Sequence, residues 1–223
     1  MGYRSIIFDF DGTLIDSRND IAGAQLWALH QIGVTQYTPE DLFPYIGKTL
    51  QETFTRLLPS VMHHRIDEAV GLYREYYPPR ALLTTTLFPD VRETLDLLLA
   101  RGVRMAVAST KKESNILRVA EHFNITRYFV QLQGSDDLPH KPDPFIVNKI
   151  IADQQWDPAE TIMVGDTDND IVAGQRARIA TCAVTYGSLT EEQLRAYSPD
   201  FVIRSFRELL SVVEERPGGN CPA

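Results

Sequence analysis

The stretch IIFDFDGTLIDS, residues 6–17, decides how the chain is read. Its opening residues, Ile6 to Phe8, have the composition of a short strand buried on both faces. They run straight into Asp9, with Asp11 two residues on and Gly12 behind it. A carboxylate at the end of a buried strand must be solvated, hydrogen-bonded or neutralised by a cation. An Asp-Gly turn after a strand is also common and needs no chemistry. The stretch alone leaves both readings open, and the rest of the chain has to supply partners.

Residues 4–8 open a series of apolar runs that recurs at 103–108, 128–132, 161–164, 180–184 and 201–203. Helical stripes lie between most of them. Val91, Leu95, Leu98 and Leu99 precede Gly102, a C-terminal stop. Ile116, Leu117, Ala120 and Phe123 form a second stripe, and Phe145, Ile146, Lys149 and Ile150 a third, with Pro144 at its first turn. Strands alternating with helices predict an α/β fold, a parallel sheet covered on both faces. Ligands of such sheets bind beyond the carboxyl ends of the strands, where Asp9 and Asp11 would sit.

From Asp16 to about Thr86 the alternation stops and no strand pattern is found. Ile21, Ala24, Ala28, Leu29 and Ile32 make one amphipathic face before Gly33. Thr38-Pro39-Glu40-Asp41 has the form of a helix cap with a first-turn proline and acids. Leu50, Phe54, Leu57 and Leu58 follow, then Ile66, Val70, Tyr73 and Tyr77 before Pro78-Pro79. The expected division is a sheet core of 1–15 and 87–215 and a helical bundle of 16–86 inserted after the first strand. Its two connections would let it hinge as a lid. The tail, 216–223, is rich in Pro and Gly and is expected to be disordered.

The 223 residues are 43% hydrophobic and 23% charged, with a formal net charge of -8. That balance argues against nucleic acid and membrane as partners and requires local positive charge or metal for an anionic substrate. No stretch approaches the roughly 18 to 20 apolar residues of a membrane span, and the N-terminus has no secretory pattern. Cys182 and Cys221 suit neither a disulfide framework nor a zinc site. A cytoplasmic location is therefore expected.

Three more pieces carry chemistry. In VGDTDND, 164–170, Asp166 ends an apolar run as Asp9 does, with Asp168 and Asp170 close behind. Asp168 is explained equally well as an acidic helix cap. If the strands are neighbours, Asp9, Asp11, Asp166 and Asp170 converge and need a cation; oxygen ligands without His or Cys suit Mg2+ rather than zinc. In VASTKK, 107–112, Ser109 and Thr110 end another strand and could hydrogen-bond an oxyanion, or simply cap a helix. In HKPDP, 140–144, Lys141 sits in a Pro-flanked loop and could counter phosphate charge.

Asp9-Phe10-Asp11-Gly12-Thr13, Ser109, Lys141 and Gly165-Asp166 with Asp170, in that order, resemble the four motifs of the haloacid dehalogenase-like phosphatases. The resemblance covers nearly the whole chain and implies a Rossmann-like core with a helical cap. It implies that Asp9 is a nucleophile forming an aspartyl-phosphate and that Asp11 is the general acid and base. Mg2+ would be held by the Asp9 side chain, the Asp11 backbone carbonyl and Asp166, with Asp170 acting through water or by orienting the others. Ser109, Thr110, Lys141 and Gly12 would hold the phosphoryl group.

Departures within the superfamily narrow the activity. Dehalogenases and phosphonoacetaldehyde hydrolases lack an acid at the place of Asp11, so phosphoester chemistry is favoured. β-Phosphoglucomutases, the serious rival, often carry Glu-Asp where this chain has Gly165-Asp166. A non-enzymatic phosphoacceptor domain is a remote alternative, being shorter and without a cap. YIGKTLQETF, 45–54, looks like the cap segment of phosphoglycolate phosphatases, which makes Lys48 and Arg56 candidate contacts for a second anionic group on a small phosphorylated metabolite. His30, His63, His64 and His122 receive no role, and Tyr73, Tyr76 and Tyr77 are assigned to bundle packing. The oligomeric state is not readable.

Overall fold

The computed structural model describes residues 2–215; the tail 216–223, with Cys221, lies outside them. In chain order come β1 (Ser5–Phe8), the two-residue β2 (Ile15–Asp16), α1 (Arg18–Gln31), α2 (Pro39–Leu42), α3 (Leu50–Leu57) and α4 (Ile66–Tyr76). The two-residue β3 (Thr86–Leu87) follows, then α5 (Val91–Ala100), β4 (Arg104–Ala108), α6 (Glu113–His122), β5 (Phe129–Gln133) and α7 (Phe145–Gln154). The chain closes with β6 (Thr161–Gly165), α8 (Asp168–Arg176), β7 (Ala180–Val184), α9 (Glu191–Arg195), β8 (Phe201–Ile203) and α10 (Leu209–Val212).

Six strands form one sheet in the order β5-β4-β1-β6-β7-β8, and every pairing within it is parallel. This is the expected α/β architecture, at strand positions the apolar runs marked. Burial on both faces explains their continuous hydrophobicity. Alternate residues of β1 serve opposite layers: Ile6 and Phe8 pack with α5, α6 and α10 residues such as Leu95, Val119 and Leu209. Ile7 packs with Ile146 and Ile150 of α7 and Ala173 of α8. The chain reverses its direction of travel across the sheet beside β1, which places the ligand crevice above β4, β1 and β6.

Residues between β2 and β3 build a separate apolar cluster from Leu29, Leu42, Phe54, Val70 and Tyr77. The anticipated cap on α2 is a capping box, the Asp41 carboxylate accepting from the Thr38 N–H and hydroxyl. One feature of this region has no period to announce it. Ile15-Asp16 and Thr86-Leu87, where the chain leaves and returns, pair as an antiparallel ribbon. Two residues per strand are too few for an alternating pattern. Asp20 reinforces the junction, its buried carboxylate accepting from the backbone N–H and hydroxyl of both Thr84 and Thr85 at 2.7–3.1 Å.

Candidate active site

Phe8 is in register with Val107 on one side and Val164 on the other. The residues that leave these strands therefore emerge at nearly one level: Asp9, Ser109 and Asp166. The Asp9 N–H continues the ladder by donating to the Val164 carbonyl (2.8 Å), and the Ser109 N–H donates to Gln133 (3.0 Å). All three residues are buried.

Lys141 reaches this level from the loop before α7. Its buried ammonium donates to Asp9 Oδ1 (2.6 Å) and to Asp170 Oδ1 (2.5 Å). The other Asp170 oxygen accepts from the Thr167 N–H (3.0 Å) and hydroxyl (2.6 Å), a capping box at the start of α8. The acidic helix cap considered for Asp168 thus falls to Asp170, and Asp168 faces Lys48 of the inserted segment at 3.7 Å. Asp166 accepts from the Thr13 hydroxyl (3.2 Å) and the Ser188 N–H (2.7 Å). Asp9, Asp166 and Asp170 each bring a carboxylate oxygen within 4.8 Å of the others.

Asp11 is turned elsewhere. It accepts from the Ser17 hydroxyl (2.5 Å) and from the Lys111 ammonium (2.7 Å). Lys111 also donates to the Tyr77 hydroxyl (2.7 Å), which projects from the inserted segment. The two carboxylates of the opening stretch therefore have separate surroundings, one in the acidic cluster and one beside a cavity.

Gly12 is required between them. Its φ is +88°, and a Cβ there would stand 2.2 Å from Asp166 Oδ2. Its N–H donates to the Ile15 carbonyl (2.9 Å). The Thr110 hydroxyl donates to the Gly47 carbonyl (3.4 Å). Arg56, the other candidate contact, lies near the end of α3. It is 57% exposed, pairs with Glu52 at 3.1 Å, and does not line the cavity, whereas Lys48 does. On α3, Arg56 lies eight residues beyond Lys48, and only the start of that helix reaches the cavity.

The cavity, of about 360 Å³, lies between the insertion and the strand ends. Asp11 and Lys111 line it from the core, and Lys48, Tyr73 and Tyr77 from the insertion. Tyr73 and Tyr77 stack at 5.1 Å, so they do pack the bundle, but they also face the cavity. Sequence reasoning missed Lys111, Ser17 and Tyr77. Lys111 was in view as one of two adjacent lysines after Ser109, and nothing local distinguishes which of the pair turns inward.

Burial pushes the Asp9 carboxyl well above the usual range; Lys141 opposes this, while Asp170 and Asp166 add to it. Burial and then Asp170 push Asp166 up to about 6. Burial works against the Lys141 charge, yet Asp170 and Asp9 outweigh it and hold the ammonium more tightly protonated than an ordinary lysine. Three buried acids against one lysine leave an excess of negative charge, and the donors are all oxygen. This set fits a hard divalent cation such as Mg2+.

These shifts make stability depend on pH. Because Asp166 holds its proton to higher pH when folded, the native state binds more protons than the unfolded state between about pH 4 and 6. Stability of the metal-free protein should fall as pH rises through that window, by on the order of 2 kcal/mol from this group. In EDTA, Asp166→Asn should remove that loss and melt higher than wild type at pH 7. Calorimetry across pH 4–8 checks this; identical profiles for the two proteins would contradict it.

The sequence profile of the haloacid dehalogenase-like hydrolases matches residues 6–184. The chain belongs to this family. It is 35% identical over 218 residues to a phosphoglycolate phosphatase of Vibrio parahaemolyticus, covering 94% of this chain and 96% of that one. It is 31% identical over 214 residues to pyrophosphatase PpaX of Anoxybacillus flavithermus, covering 96% and 98%. Among solved structures, a haloacid dehalogenase-like family hydrolase from Streptococcus pneumoniae superposes with a TM-score of 0.86 at 28% identity, over 94% of this chain and 97% of that one. The protein is thus an enzyme, a haloacid dehalogenase-like phosphatase. Among the described residues, no helix is long and apolar enough to cross a membrane.

Proposed function

We propose that the protein is a Mg2+-dependent phosphatase that hydrolyses the phosphate monoester of a small metabolite through an aspartyl-phosphate on Asp9. The observation that carries this reading is the contrast between Asp9 and Asp11. Asp9 stands in the acidic cluster against Lys141, while Asp11 stands at the cavity between Ser17 and Lys111. This contrast supports Asp9 as the phosphoryl acceptor and Asp11 as the group that handles protons at the leaving oxygen.

Asp9 attacks phosphorus, forming the O–P bond as the P–O bond to the leaving group breaks. Asp11 gives its proton to the departing oxygen. It then takes one from the water that attacks the aspartyl-phosphate, releasing inorganic phosphate and restoring Asp9. Lys141 and Ser109 stabilise the charge spread over the phosphoryl oxygens. Asp9 and Asp166 with the Asp11 backbone carbonyl would hold Mg2+, and Asp170 would orient Lys141 and the cluster. Held by these residues, Mg2+ would supply positive charge against the phosphoryl oxygens.

We read residues 16–86 as a cap that closes over the site through the paired β2 and β3, with Lys48 its candidate anion contact. Relatives named for phosphoglycolate and for pyrophosphate support phosphoryl transfer to water as the shared chemistry. A sugar phosphomutase is the weaker reading. A side chain at Gly165 would put its Cβ 2.2 Å from Asp170 Cβ, so this site has no room for the glutamate that mutases often carry. A cytoplasmic location is supported by Cys182, a buried free thiol.

The test uses p-nitrophenyl phosphate. EDTA should abolish turnover, Mg2+ should restore it, and Asp166→Ala should be severely impaired even at high Mg2+. Full turnover in EDTA would sink the metal assignment.

A further inference from the structure

Lys111 follows the end of β4 by three residues, and its backbone is tied into that loop. Its N–H donates to the Ser109 hydroxyl (3.2 Å), and its carbonyl accepts from the Ser135 N–H (3.3 Å). The side chain is only 7% exposed. Its ammonium takes one partner from each side of the cavity, Asp11 of the core and the Tyr77 hydroxyl of the insertion, both at 2.7 Å. Asp11 is held unevenly. Lys111 and the Ser17 hydroxyl both donate to Oδ1. The other oxygen, Oδ2, accepts no hydrogen bond among the described residues and is not enclosed. Asp11 and Lys111 both line the cavity.

Resting on the phosphatase reading above, we propose that Lys111 is a positioning residue for the proton carrier. It fixes the Asp11 carboxylate through Oδ1, which leaves Oδ2 to serve the leaving oxygen, and Tyr77 anchors it from the insertion. A carboxylate free to turn spends part of its time with neither oxygen in line for proton transfer, and holding it removes that loss. The Ser17 hydroxyl alone does not hold it, because a hydroxyl rotates to follow its acceptor. A short ion pair away from solvent does, because salt and water screen it little. Taking an ammonium and a carboxylate out of water is costly, and stability alone is served as well by apolar side chains. A part in the reaction accounts for the pair.

The competing role for a lysine on a cavity wall is to bind an anionic group of the substrate. Two of the three ammonium donors are already engaged. The ammonium also lies 4.8 Å from the centre of the Tyr77 ring, whose face attracts a cation. A substrate anion would have to draw the charge away from Asp11. The Tyr77 hydroxyl belongs to the insertion, so Lys111 has both partners only while the insertion sits over the core. Placement of the proton carrier is thereby tied to closure of the cavity.

The test is single-turnover kinetics on the Mg2+-loaded enzyme in excess, following glycerol release from glycerol 3-phosphate and nitrophenolate release from p-nitrophenyl phosphate. Lys111→Met should slow glycerol release by about 10- to 100-fold, the worth of a lost hydrogen bond to a charged group. Nitrophenolate needs no proton to leave, so its release should slow by less than about threefold. Added to Asp11→Asn, Lys111→Met should cost less than about twofold more on either ester, because it acts through a group already removed. Tyr77→Phe keeps the ring and both charges and should show the same selectivity at about 3- to 10-fold; it decides the matter should Lys111→Met not fold. Equal losses on both esters in folded Lys111→Met, a further loss on the Asp11→Asn background, or unaltered rates in Tyr77→Phe would overturn this inference while wild-type turnover preserves the phosphatase reading. No turnover of p-nitrophenyl phosphate by wild type overturns both.

Discussion

Asp9→Asn is expected to lose at least about 10⁴-fold in kcat on every phosphoester, activated or not, because an amide cannot take the place of the attacking carboxylate. The loss should come without unfolding. The amide keeps the shape of the side chain, and the substitution removes one charge from a buried cluster whose burial already disfavours it. Lys141 keeps its second carboxylate partner, Asp170, at 2.5 Å. An inactive, folded protein with an unchanged or raised melting temperature is the expected result. Residual turnover within about tenfold of wild type would mean that Asp9 is structural and that another group attacks phosphorus.

Asp11→Asn should behave differently, because its surroundings are different. The nucleophile and the acidic cluster remain intact, and what is lost is proton transfer, usually about 10²- to 10⁴-fold. The size of the loss should depend on the leaving group. A sugar alkoxide needs a proton, so formation of the aspartyl-phosphate should slow. A nitrophenolate leaves without one, so that step should be largely spared. Water must still attack the intermediate without a base, so phosphoenzyme should accumulate. Stopped-flow absorbance should show a burst of nitrophenolate, then slow turnover. Equal losses on both ester types with no burst, in folded Asp11→Asn, would place the proton carrier elsewhere.

The α/β fold was legible because parallel strands buried on both faces read as continuous apolar runs. Each run from 4–8 to 201–203 lies at an observed strand. The core site residues were legible because a strand end makes their position predictable: Asp9, Ser109 and Asp166 each follow an apolar run. Lys141 was legible as a lysine in a Pro-flanked loop, though its bridging of Asp9 and Asp170 was not. Residues on the insertion side were harder. Arg56 and Lys48 share a helical neighbourhood, and only tertiary placement shows that Lys48 faces the cavity and Arg56 solvent. Gln25 and Tyr77 sit on amphipathic faces where sequence period indicates burial but not what they are buried against. The β2–β3 ribbon and the Asp20 clamp depend on segments more than 60 residues apart, and Asp20 bonds to Thr84 and Thr85 across that separation.

The central claim is that phosphate passes through Asp9. The most direct measurement is acid-quench trapping with p-nitrophenyl phosphate in Asp11→Asn, followed by borohydride reduction and peptide mass spectrometry. Reduction converts an aspartyl-phosphate to homoserine, and homoserine at position 9, absent in the Asp9→Asn/Asp11→Asn double variant, is the predicted result. Homoserine at another aspartate, or none while nitrophenolate is released in a burst, would contradict it.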